Sequence, residues 1–346
     1  MGNGAVDRMW HRITGWFHAN AEHVTVEFLP DPESAPLAAH EGYLRLWLSE
    51  GFVAQARNWG ARQFPALHGG ASLSFLGSER TPFTTFTRPP GAWQVPGAQL
   101  DFPITPLLPW GGGIVEVEAA LYEASTESPL GTALDLLGGL VSLIGPPLAT
   151  AATIAGKVSE GLDTVLAASG AQPILGVHLS MVAPGGVGNV LRAGHLAVIG
   201  TPRDSLEGAL SISDGRLRRD GAQLSGVDYL VLRVECRTER DDWRFPELDR
   251  LVLTAGEAYI HGRHEVFKAC RTEAIVAAWN SADLTPNDRK RVAKFVAEEI
   301  DAVAELGAVP GPRRALEFAA AERLPGADAI ELRDLRLGDL LVSSTR

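Results

Sequence analysis

A long uncharged stretch in the middle of the chain, interrupted by two adjacent prolines, restricts the fold more than any other feature. The 21 residues 136–156 carry no charge, and as one helix they would span about 30 Å, the thickness of a bilayer core. Pro146 and Pro147 remove two backbone donors and clash with the preceding turn, and Gly145 before them favours a helix end. The stretch therefore predicts a hairpin of two short helical arms and disfavours a membrane span.

The two arms have different surfaces. The first arm has two adjacent apolar stripes and a third stripe of small residues that lets another helix approach closely. The second arm, continued to Leu166, is amphipathic, because its polar side includes Lys157 and Glu160. Two apolar stripes are more than one neighbouring element covers, so the first arm is the predicted docking surface. Its docking residues are Leu130, Leu134, Leu137, Leu140, Val141 and Ile144, and the hairpin breaks at Gly145, Pro146 and Pro147.

Two interpretations of the hairpin stay open. It packs permanently on the rest of the protein and is purely structural, or it docks a protein partner or, after a trigger, a membrane. The surrounding sequence favours a covered surface, because residues 99–200 contain only ten charged side chains. A homo-oligomer in which a second copy provides the cover is compatible with the same pattern.

Most of the remaining chain alternates apolar and polar residues, as strands do. Leu44, Leu46 and Leu48 share one face, as do Val115, Val117, Ala119 and Leu121, and Pro/Gly-rich turns separate such segments. Asp214-Gly215 predicts a tight hairpin turn. These patterns predict an α+β protein with an antiparallel β-sandwich-like body, an inserted apolar helical hairpin and a C-terminal helical segment.

Helical periodicity marks both ends of the chain. Ile13, Trp16 and Phe17 lie on one stripe of a short N-terminal helix, and Thr285 followed by Pro286 predicts the start of a late helix. The predicted order is an N-terminal amphipathic helix (1–22), a β-rich body (23–128), the hairpin (129–168), a second β portion (169–243), a helical segment (244–307) and a linker with a C-terminal tail (308–346).

Charge and cysteine content limit the classes of partner and compartment. A net charge of -11 repels nucleic-acid phosphates, and no cluster of Lys and Arg counteracts it. Two cysteines cannot build a disulfide framework, and the N-terminus lacks the pattern of a secretory signal. The sequence therefore predicts a cytoplasmic protein with no nucleic-acid partner, with peripheral membrane association left open by the hairpin.

Catalytic and cofactor motifs are weak, so no cofactor is predicted. The G-x-G at Gly186 and Gly188 has Leu191 where a dinucleotide loop needs a third small residue. His261 and His264 can share a helix face with a metal, but their spacing matches neither common zinc motif. The sequence favours a non-enzymatic effector or adaptor of bacterial type over two alternatives, a purely structural or assembly component and a metal-dependent hydrolase that uses the His261/His264 region.

Overall fold

A computed structural model describes the molecule over residues 3–54, 63–74, 80–88, 98–125, 127–129, 131, 148–240, 243, 245–306 and 330–342. Its internal contacts divide the chain into two units. The first comprises Met1–Ala39 and Leu44–Cys236, and the second comprises His40–Tyr43 and Arg237–Arg346. The first unit is built mainly of strands and the second of helices, so the predicted α+β class is confirmed.

The first unit contains three sheets. Sheet I has the strand order β1-β10-β14-β2-β5 with β6 on β2, sheet II has the order β4-β3-β7-β8-β9, and sheet III has the order β11-β12-β13. Among the strand pairs whose register the described residues give, only β8 with β9 is parallel and the others are antiparallel. The strands are β1 Thr25–Pro30, β2 Tyr43–Phe52, β3 Gln63–Leu73, β4 Thr81–Thr87, β5 Ala98–Pro103, β6 Leu108–Pro109, β7 Ile114–Ser125, β8 Pro173–Val182, β9 Asn189–Val190, β10 Gly194–Ile199, β11 Leu210–Ser213, β12 Arg216–Arg219, β13 Ala222–Gln223 and β14 Tyr229–Arg237.

Sheets I and II share one apolar core. Leu46, Leu196 and Leu232 of sheet I belong to the same buried cluster as Leu121 and Val177 of sheet II. Both sheets combine strands from before and after residues 129–169, since β1 pairs with β10 and β7 with β8. The two β portions therefore form one body of two stacked sheets. The insertion connects β7 to β8, which are interior strands of sheet II.

Strand β7 is buried on both of its faces, so sheet II must be covered on both sides. Its alternating residues Val117 and Leu121 face the shared core, as the sequence predicts, but Ala120 and Tyr122 on the opposite face are also at most 2% exposed. Helices α1 (Asn3–Asn20) and α2 (Leu148–Ser169) cover this second face. Ile13 of α1 is completely buried there, so the predicted amphipathic N-terminal helix packs on the body.

Sheet III lies against the outer face of sheet I and is fixed by one buried carboxylate. Glu50 accepts hydrogen bonds from the Tyr229 hydroxyl (2.6 Å), the Leu217 backbone N–H (2.7 Å) and the Gln223 amide (3.2 Å). The predicted Asp214-Gly215 turn joins β11 to β12, and both residues have positive φ, 55° and 70°. That turn is confirmed, and its geometry is the one that matches strand twist in a two-residue hairpin.

The second unit is a group of helices with its own apolar core, which includes Leu251, Ala274 and Val296. Thr285 caps a helix as predicted, since its hydroxyl accepts from the Asp288 N–H at 3.3 Å. Asp288 is completely buried and accepts from the Tyr43 hydroxyl (2.6 Å), the Arg240 N–H (2.9 Å) and Arg291. The helices are α3 Pro246–Ile260, α4 His264–Trp279, α5 Pro286–Leu306, α6 Ile330–Arg333 and α7 Leu337–Leu341.

The buried carboxylate of Glu50 makes stability depend on pH. Burial raises the pKa of Glu50 above its ordinary value of 4.5, against the opposing effect of its three donors. The folded protein therefore holds a proton at pH values where the unfolded chain has lost it, and this contribution is lost as pH rises through the folded pKa. We expect the wild-type protein to lose stability relative to the Glu50→Gln variant as pH rises from 4.5 to 7, as measured by urea unfolding at both pH values.

Candidate docking site

The predicted docking arm begins at a well-formed helix cap. Strand β7 ends at Ser125, and the Ser128 hydroxyl donates to the Ser125 carbonyl (2.7 Å) and accepts from the Gly131 N–H (3.1 Å). Pro129 and Gly131 are helical. A serine cap followed by proline at the first helical position is a strong helix start. The docking residues Leu130, Leu134, Leu137, Leu140, Val141 and Ile144 and the break residues Gly145, Pro146 and Pro147 lie outside the described residues.

The predicted second arm lies within α2 and is amphipathic in the predicted sense. Leu148, Ala155 and Leu162 are at most 2% exposed, whereas Lys157 and Glu160 on the opposite side are exposed. Arg12 of α1 donates to the Leu166 carbonyl at 2.7 Å and so ties the end of α2 to α1. The apolar side of α2 is therefore used by the body itself, and any free docking surface of the insertion belongs to the other arm.

A buried histidine–carboxylate pair lies on the face of sheet II that α1 and α2 cover. His68 Nε2 is 2.9 Å from Glu118 Oε1, and both side chains are 0% exposed. The strand register brings these two side chains together. Glu118 of β7 lies opposite Gly70 of β3, and His68 is two residues from Gly70 along β3. His68 Nδ1 and Glu118 Oε2 have no hydrogen-bond partner among the described residues. A histidine–carboxylate pair can orient a general base, but complete burial denies a substrate access.

Sequence reasoning missed this pair. The alternation in β7 assigns Glu118 to the face opposite Val117, which looks like a solvent face when its same-face neighbour Glu116 is read with it. The helices that bury this face come from distant parts of the chain, so local periodicity could not reveal it. The one available signal was Gly69-Gly70 within a strand, because glycine there often marks a close approach.

An aromatic and charged cluster lies on the outer face of sheet I. The indole N–H of Trp47 donates to Glu235 at 2.7 Å, and the guanidinium groups of Arg233 and Arg45 lie 4.8 Å and 5.3 Å from the ring centroid. Trp47 is therefore engaged within the molecule through both its N–H and its ring.

Burial shifts the pKa values of two titratable groups near this cluster against their charged forms. Burial lowers the pKa of His195, with Arg233 acting in the same direction and Asp31, 3.3 Å away, opposing it. Burial, reinforced by the charges of Glu235 and Asp31, raises the pKa of Cys236 to about 12. Because the thiolate is the reactive form, Cys236 is a poor nucleophile at neutral pH.

The weak metal candidates are both exposed. His261 follows the last residue of α3 and His264 is the first residue of α4, so a turn separates them and they do not share one helix. The His264 ring packs edge-on against Tyr259 with centroids 6.3 Å apart. Within the described part of the chain, no group of three or more His, Cys, Asp or Glu side chains is arranged to hold a metal ion.

Comparison of the chain with protein-family models, with curated proteins and with solved structures gave no significant match. Over the residues that the structure describes, none of the helices combines the length and apolar character that crossing a membrane requires.

The buried pair predicts a position-specific response to glycine substitution. A Cβ at Gly70 would lie 2.8 Å from Glu118 Cγ, so we expect Gly70→Ala to destabilise the first unit by about 1–3 kcal/mol. The matched control is Gly161→Ala on the exposed side of α2, where a Cβ meets nothing within 4 Å. There helix propensity should stabilise the protein by up to about 1 kcal/mol. Chemical denaturation of both variants measures the difference; equal effects would contradict the close approach.

Proposed function

We propose that this chain is a non-enzymatic adaptor or effector that docks a protein partner through the apolar stripes of residues 130–144. The observation that carries this proposal is the Ser128 cap, which starts a helix directly before those stripes. Its compartment is the cytoplasm of a bacterial-type cell, and a membrane is the second class of target, reached after a trigger.

The surroundings of the segment support docking over burial in the body. The inner face of sheet II is covered by sheet I, and its outer face is covered by α1 and α2. Helix α2 already buries its own apolar side, including Leu148 and Leu162 at no more than 2% exposure. The two apolar stripes that the sequence of residues 130–144 predicts need another cover, and a protein partner supplies apolar and shape-complementary surface of the required kind.

The anchoring of the segment supports a defined docking geometry. One end follows β7 through the hydrogen bonds of Ser128 with Ser125, and the other end enters α2 at the buried Leu148. A binding element fixed at both ends loses less conformational entropy on binding than a free tail would. This anchoring of the flanking residues suits an adaptor that presents one docking segment.

The proposal predicts that two charges on the first stripe prevent partner binding. Leu137→Asp with Val141→Asp removes two apolar anchors worth about 1.5–3 kcal/mol each, which corresponds to a loss of affinity of about 100-fold or more. Quantitative mass spectrometry of proteins retained by the tagged full chain in extracts of its native cells measures the effect. We expect one partner to be lost selectively.

The matched control places the same substitutions on a surface that is already in water. Thr153→Asp with Thr164→Asp changes two exposed positions on the polar side of α2 and should retain the partner. Circular dichroism checks that both double variants are folded. Unchanged partner recovery by the Leu137/Val141 variant would refute docking, and its failure to fold would identify a permanently buried structural element. Leakage of anionic vesicles without any protein partner would move the target to a membrane.

A further inference from the structure

The C-terminal tail, residues 330–342, is bound to the helices of the second unit. Leu337, Leu340 and Leu341 pack against the apolar core that α3, α4 and α5 form. They occupy positions i, i+3 and i+4 of α7, so they share one helix face. The tail therefore binds as a short amphipathic helix laid on a helical surface, a common mode of peptide recognition.

Two basic side chains hold the tail by its main chain. Arg271 Nη1 donates to the Leu340 carbonyl at 2.9 Å, and Lys290 Nζ donates to the carbonyls of Leu332 (3.0 Å) and Arg333 (2.9 Å). These carbonyls lie in the last turns of α6 and α7, where helix oxygens lack partners and cations are favourable. Such contacts recognise the end of any helix, so the leucines provide the sequence selectivity.

The surface that receives the tail is preformed by an ion pair. Arg271 is 5% exposed and donates from Nε and Nη2 to both carboxylate oxygens of Asp301, at 2.6 Å and 2.7 Å. A bidentate pair of this kind fixes the guanidinium plane and leaves Nη1 directed at the tail. The site is thus built by α4 and α5, and the tail contributes only its leucines and carbonyls.

The α7 part of the tail is only lightly held. Leu337, Leu340 and Leu341 are only partly buried and Val342 is 76% exposed, whereas Leu332 of α6 is 3% exposed. Twenty-three residues, 307–329, connect α5 to the tail, so the covalent chain allows it to leave its site. The α7 helix also carries its own cap, since Asp339 accepts from the Arg336 N–H at 2.9 Å. Segments with few buried contacts open at low free-energy cost.

We propose that the surface around Arg271 and Lys290 is a docking site for a Leu-x-x-Leu-Leu helical segment of a partner protein, and that the tail is its resident competitor. The tail shows the chemistry that the partner must offer: three leucines on one face and free carbonyls at the helix end. The 23 residues that connect α5 to the tail favour binding of the tail to its own chain. Short connections are the ones that promote exchange of such segments between two copies. This site is separate from the arm at residues 130–144.

The test measures a labelled peptide of residues 330–342 against two forms of the full chain. In the wild-type chain the tail competes at an effective concentration on the order of 1 mM. In the Leu337→Asp plus Leu341→Asp chain the tail is released, so a peptide with a Kd of about 10 µM should bind roughly 100-fold more tightly than to the wild type. Fluorescence anisotropy measures both affinities, and Val342→Asp, at an exposed position of the same tail, should behave as wild type.

A second pair of variants tests the main-chain contacts in the released background. Lys290→Met should weaken peptide binding about 10-fold through the loss of charge-assisted hydrogen bonds. Lys294→Met on the same helix, whose amine lies near Glu298, should not change it. If the released chain folds poorly, excess peptide added to the wild-type chain should still raise hydrogen exchange of residues 330–342. Equal peptide affinity for both chains, no binding to either, or a wild-type dimer held by exchanged tails would overturn the proposal.

Discussion

Sheet II is apolar on both faces, and the architecture of the first unit follows from the need to cover both. On one face, Val117, Leu121 and Val177 require sheet I. On the other, Ala120 and Tyr122 require helices, which the chain supplies from its N-terminus and from the insertion between β7 and β8. Burial of this apolar surface is the main favourable term in folding. The insertion is therefore part of the structure of this body as well as the carrier of its proposed function.

Three buried carboxylates, each with different donors, fix elements that hydrophobic contact alone would leave free to slide. Glu50 attaches sheet III to sheet I, Asp288 joins Tyr43 to the start of α5 within the second unit, and Glu118 pairs with His68 across β3 and β7. Apolar burial is non-directional, whereas a buried carboxylate requires particular donors at particular distances. Glu118 is the least satisfied of the three, because one oxygen has no partner among the described residues.

The two proposed docking surfaces use a common principle. In the first unit the described residues Ser128 and Leu148 flank the proposed docking segment, and in the second unit Arg271 and Lys290 bind main-chain carbonyls of α7 and α6. Prior fixing of helix ends reduces the entropy lost on binding, and helix ends are where unpaired backbone groups need partners.

Local sequence determined those elements whose signals are complete within a few residues. The strand alternation at Leu44, Leu46 and Leu48, the positive-φ turn at Asp214-Gly215 and the cap at Thr285 were all predictable, because each depends on side-chain period or on one turn of backbone. Tertiary structure decided which second faces are buried, and with them the His68–Glu118 pair, the enclosure of Trp47 and the setting of Cys236. Those outcomes depend on contacts between residues far apart in sequence, such as His68 with Glu118 and Trp47 with Glu235. Local periodicity does not predict such contacts. The apolar stripes between Leu130 and Ile144 are likewise a prediction from sequence. That α2 buries its own apolar side against the body is shown only by the folded chain.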